Sequence, residues 1–168
     1  MKVLEARDAF LSDYEVLQFL SKLERQNHWD AETILENEKH RKSKNKRKIR
    51  RPYNHPELQN ITSTSLNFLN MNKNFVQQEG DEEMEDEEAK VKNLERDMKS
   101  PLCRMNDAKF SEFVTRLNEY ELFKVEKLQI VNQLPGNMVH LYSIVEECDS
   151  RFTNEQIETM LSIIKEYS

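Results

Sequence analysis

Residues 106–117 read NDAKFSEFVTRL, and this stretch decides the fold. Asn106 offers a side-chain oxygen to the free N–H groups of a first helical turn. Phe110, Phe113, Val114 and Leu117 then recur at the three- and four-residue spacing of one helix face. The same grammar repeats downstream. Residues 124–133 predict a second helix that places Leu128, Val131 and the Gln133-Leu134 pair inward and stops at Pro135. Asn137 caps a third helix carrying Leu141, Ile144 and Val145. Thr153-Asn154-Glu155-Gln156 is a capping box that opens a last helix through Ile157, Leu161 and Ile164. Four short helices with brief connections predict a compact orthogonal bundle.

Upstream, Ser12-Asp13-Tyr14-Glu15 is another capping box, followed at helical spacing by Val16, Leu17, Leu20 and Leu23. A helix is expected over about 13–26, broken at Asn27-His28-Trp29. Asp30 caps a second beginning at Ala31, with Ile34 and Leu35 as its inward pair. Pro56 suits the first turn of a third helix, whose buried stripe would be Leu58, Ile61, Ser65, Leu66 and Leu69. The fold class is all-α, with N-terminal helices ahead of a C-terminal bundle and charged flexible linkers.

Two charge runs punctuate that order. Lys39–Arg51 holds 9 Lys or Arg in 13 residues and reads as a mobile tether. Residues 79–88 hold 8 acids in ten and, with the charged stretch up to Ser100-Pro101, read as a solvated linker between two units. The expected organisation is an N-terminal partner-binding region over 1–78 (basic loop 39–51), an acidic disordered linker over 79–105, and a helical domain over 106–168. The net charge of −6 conceals an asymmetry: residues 1–56 carry 13 basic against 9 acidic residues, and residues 103–168 carry 7 against 11.

Composition excludes several function classes. Two glycines in 168 residues leave no raw material for phosphate-binding loops or Rossmann turns. Cys103 and Cys148 are far apart, which suits a reducing compartment and excludes a thiolate metal site. His28, His40, His55 and His140 fall in separate segments without metal-ligand spacing, and His140 beside Leu141 reads as a structural histidine. Glu146, Glu147 and Asp149 read as a solvated face rather than an acid–base pair. No run approaches the ~18 apolar residues of a membrane span, and no signal-peptide core opens the chain. No catalytic residue, metal or cofactor is expected. A third of the residues are charged, so two small units must share a thin apolar supply, and small units lean on partners.

Three features remain for binding. Val3 and Leu4 form an apolar, strand-like segment before any helix; it is either frayed or an added strand on another protein's sheet. Trp29, the only tryptophan, sits at a helix break as a local core plug or a partner anchor. The cluster Lys46, Arg47, Lys48, Arg50 and Arg51 is a nuclear-import candidate, a loose contact for acidic partners, or simply an exposed loop.

Residues 2–17 (KVLEARDAFLSDYEVL), 51–59 (RPYNHPELQ), 126–135 (EKLQIVNQLP) and 137–149 (NMVHLYSIVEECD) carry a resemblance over nearly the whole chain apart from the charge runs. The chain resembles the family of RNA polymerase stalk subunits that includes the fungal polymerase III stalk subunits, the fourth subunit of RNA polymerase II, the archaeal F subunit and the human calcitonin gene-related peptide receptor component protein. The resemblance implies an HRDC-like C-terminal bundle and an S1/OB-barrel stalk subunit as heterodimer partner. It further implies a place on the RNA polymerase III core in the nucleus, with recruitment of the initiation-factor complex to tRNA and 5S rRNA genes. A β-rich partner would give Val3 and Leu4 a sheet edge. The candidate partner contacts are then Val3, Leu4, Leu17, Leu20, Trp29, Leu58 and Ile61.

Two other classes compete. An HRDC-type nucleic-acid-binding module would contact its ligand through Lys124 and Lys127, and should gather Lys109, Arg116, Lys124 and Lys127 on one side without intervening acids. A signalling adaptor is suggested by the human relative's name, but no lipidation signal supports it.

Overall fold

The computed structural model describes residues 10–42, 51–75 and 94–168, and for residues 40–42 the backbone alone. Among the described residues the chain is all-α, with one isolated antiparallel bridge between Met71 and Lys99. The helices are α1 (Asp13–Gln26), α2 (Ala31–Lys42), α3 (Pro56–Asn70), α4 (Asp107–Leu117), α5 (Lys124–Gln133), α6 (Met138–Ile144), α7 (Cys148–Arg151) and α8 (Asn154–Tyr167). A 3-10 turn at Pro101–Arg104 precedes α4. The short α7 has no counterpart in the sequence reading, where Cys148–Arg151 was connection. The basic residues 43–50, and with them Lys46, Arg47, Lys48 and Arg50, lie outside the described residues, as do Val3 and Leu4. Helix α2 runs four residues into the stretch read as a tether, through Lys42.

The chain forms two compact units: residues up to Tyr14 together with Asn70–Ser168, and Glu15–Leu69. The larger unit is the bundle. Phe113 and Leu117 of α4, Ile130 and Val131 of α5, Leu141 of α6 and Ile157, Met160 and Ile164 of α8 share one core. The caps form as the sequence dictates. Asn106 accepts from the Lys109 N–H and Asn137 from the His140 N–H, while Thr153 and Gln156 close their box reciprocally. Helix α5 ends on Leu134 in the left-handed region (φ 46°), and Pro135 follows. Leu128 is half-buried; Ile130 takes the inward place instead.

The bundle reaches beyond 106–168. Leu102 and Met105, within the stretch assigned to the linker, are buried in its core, and so is Tyr14, whose ring stacks on Phe110 and whose hydroxyl donates to Asp107. Both ends of the acidic stretch also belong to this unit. The Asn72 N–H donates to Met98 O and the Ser100 N–H to Asn70 O, each at 2.8 Å, and the Asn72 side chain donates to Asp97 O. The described segments on either side of the acidic run, 70–75 and 94–100, therefore belong to one unit. Replacing residues 79–92 by a short Gly-Ser bridge should leave the thermal midpoint and partner binding unchanged, since each doubling of a flexible loop changes closure entropy by only about 0.6 kcal/mol. Extending the deletion through Lys99 removes the bridge partner of Met71 and the Met98 carbonyl that accepts from Asn72, and should lower the midpoint. Loss of partner binding in the shorter deletion would instead make the acidic run an interface.

The smaller unit is thin. Leu17 packs on Leu66 and Leu69, with Val16 and Leu20 at the margin. At the far end of α1 the Tyr53 N–H donates to Asn27 O, so α1 and α3 run antiparallel. Asp30 caps α2 by accepting from both the backbone and the hydroxyl of Thr33. Ile34 and Leu35, the expected inward pair of α2, are exposed; Thr33 is the buried residue of that turn. On α3 the buried stripe is Thr62, Leu66 and Leu69. The Thr62 side chain is 1% exposed and its hydroxyl lacks a hydrogen-bond partner. An unsatisfied buried hydroxyl costs about 1–3 kcal/mol, so Thr62→Val should raise the melting midpoint followed by Trp29 fluorescence. An unchanged or lower midpoint would mean that the hydroxyl is satisfied in solution.

Candidate partner interface

The stripe that packs α1 on α3 covers only part of each helix's apolar arc. Phe19 and Leu23 on α1, and Leu58, Ile61 and Phe68 on α3, lie roughly 90° round from it in the same rotational sense. Because the helices run antiparallel, that common sense brings both sets to one side of the pair. Phe19 is 63% exposed, Ile61 63% and Phe68 61%, while Leu23 and Leu58 are half-buried. A row of large apolar groups along two helices, unlike single scattered ones, is the kind of patch that interaction surfaces present.

The sequence-derived contacts divide on this geometry. Ile61 lies on the open face, Leu58 at its edge, and Leu20 is partly buried against the packed stripe. Leu17 faces the other way, into the unit's own core. Trp29 is 5% exposed; its Nε1–H donates to Tyr53 O at 2.8 Å and its ring lies 6.4 Å from that of Tyr53. That is a plug holding the α1–α2 turn against the segment before α3, not a free anchor. The turn is tight enough to put His28 at φ 59°. Phe19 and Phe68 escaped the sequence reading. The signal was present as a surplus: α3 carries more apolar residues than one stripe of a two-helix pair can bury.

In the bundle, the one acid drawn deeply inward is Glu126, which also escaped notice. Both of its carboxylate oxygens meet Arg151 Nη atoms, at 2.7 and 3.1 Å, and it accepts from the N–H groups of Phe123 and Glu146. Arg151 also donates to the carbonyls of Glu121 and Glu146 and lies over the rings of Phe123 and Phe152. Burial alone would push the Glu126 carboxyl up. The Arg151 hydrogen bonds and the two backbone N–H groups outweigh it and hold the carboxyl below the ordinary glutamate value. Both Nη atoms of Arg151 and both carboxylate oxygens of Glu126 are engaged within the fold, so the cluster reads as scaffold. His140 is likewise engaged, with Gln133, as a structural histidine.

The cations expected of a nucleic-acid face are not gathered cleanly. Arg116 is bound to Glu166 and Tyr167 and packs over the Tyr167 ring. Lys127 donates to Asn118, Lys109 shares a pocket with Glu112 and Glu166, and Lys124 is exposed at the start of α5. Intervening acids break the stripe that direct phosphate binding needs. Arg51, the described member of the import candidate, is exposed. Among the described residues no group of His, Cys, Asp and Glu could hold a metal, and no helix is long and apolar enough to cross a membrane.

The profile of the RNA polymerase Rpb4 family matches residues 10–168. The chain is 56% identical over 168 residues, the full length of both, to the DNA-directed RNA polymerase III subunit RPC9 of Saccharomyces cerevisiae. It is 27% identical over 157 residues to the DNA-directed RNA polymerase III subunit rpc9 of Schizosaccharomyces pombe, covering 94% of this chain and 91% of that one.

Proposed function

The chain belongs to the RNA polymerase Rpb4 family, and on that premise we propose that it is a non-catalytic stalk subunit of DNA-directed RNA polymerase III. It forms a heterodimer with the S1/OB-barrel stalk subunit, works in the nucleus, and supports initiation at tRNA and 5S rRNA genes by helping to recruit the initiation-factor complex to the polymerase core. The full-length likeness to a yeast polymerase III subunit carries this reading. Physical support comes from the open apolar side of α1 and α3, which leaves the smaller unit short of a core until another protein covers it.

Partner binding is assigned to the N-terminal region, residues 1–78, through Val3, Leu4, Leu20, Leu58 and Ile61, with Phe19 and Phe68 added from the structure. Leu17 and Trp29 support that surface from beneath it. The HRDC-like domain starts ahead of residue 106 because its core includes Leu102 and Met105.

The test is co-expression of the full chain with the barrel subunit of the same polymerase. A complex that survives high salt and melts well above the lone chain is expected. Phe19→Asp with Ile61→Asp should weaken that complex at least tenfold and leave the far-UV spectrum of the lone chain unchanged, since both side chains already face solvent. A lone chain that is monodisperse, with a cooperative melt the barrel subunit does not move, would overturn the proposal.

A further inference from the structure

We draw no further inference here: the strongest candidate, the half-open pocket of about 450 Å³ among the Pro101–Arg104 turn, α4 and the end of α8, sets the cations Arg104 and Lys109 against Glu112 and a Glu166 already bound to Arg116, and nothing in the structure shows what would occupy it.

Discussion

Arg151→Ala should lower the thermal midpoint of the bundle by several degrees. The substitution leaves the Glu126 carboxylate buried without its counter-ion, and the Glu121 and Glu146 carbonyls lose a donor each. Removing Arg151 leaves a carboxylate that is only 8% exposed without its counter-ion, while the 22% exposure of Arg151 itself means that solvent screens part of the loss. Far-UV circular dichroism during a melt reads the effect directly. A fall of less than about 3 °C would place the pair in effective solvent contact, where ion pairs are worth about 0–1 kcal/mol.

The pH dependence gives a second handle on the same residues. In the native chain the Glu126 carboxyl sits below its ordinary value of 4.5. Its contribution is therefore fully present above that value and is lost as pH falls through the depressed native one. In the Arg151→Ala chain the Phe123 and Glu146 N–H groups remain but the Arg151 contribution is gone, so the carboxyl rises from its depressed position and protonation costs that chain less. The stability gap between the two proteins should narrow as the pH is taken below about 4.5. A gap that stays constant on acidification would show that Arg151 acts through packing on Phe123 and Phe152, not through charge.

At the other end of the chain, Val3→Asp with Leu4→Asp should cost the complex with the barrel subunit at least two orders of magnitude in affinity while the bundle stays folded. Both side chains precede α1, outside any helical stripe, and an added strand on a partner's sheet would bury them. Burial of two such groups is worth about 1.5–3 kcal/mol each, and a buried carboxylate adds its own desolvation cost. A tenfold change in affinity is about 1.4 kcal/mol, so the sum far exceeds what a surface substitution does. Glu82→Ala with Glu83→Ala in the acidic run is the control, with no change expected. Titration calorimetry of the purified pair decides it. Affinity within about threefold of the native chain would sink strand addition and leave the α1/α3 face as the main interface.

The helix boundaries were legible because they are local. Asp13–Gln26, Lys124–Gln133 and the caps at Asn106, Asn137 and Thr153 follow from side-chain acceptors beside free N–H groups and from apolar spacing, both readable within one turn. The absence of catalytic motifs and the two charge runs were equally plain. Family membership was legible too, since ten-residue runs such as that ending at Pro135 are far more specific than any pattern of hydropathy.

Which apolar face of a helix turns inward was not legible, because that depends on what lies across from it. Ile61 and Thr62 are adjacent, and the sequence favours the isoleucine for the core. The antiparallel α1 meets the threonine's side of α3, so the hydroxyl is buried and the larger side chain is left in solvent. Ile34 and Leu35 were misread for the same reason: among the described residues no element covers their face of α2. Glu126 and Arg151 are 25 residues apart and unremarkable in sequence, and only the packing of α5 against the turn at α7 makes them one buried pair. The extent of the bundle was likewise decided in three dimensions, where Tyr14, Leu102 and Met105 reach the core that Phe113 and Ile157 begin. The sequence by itself determined where most of the helices start, how charge is distributed and to which family the chain belongs. Tertiary structure decided which side chains are buried and which remain open to a partner, because burial is set by contacts between residues distant in the chain and no local pattern encodes them.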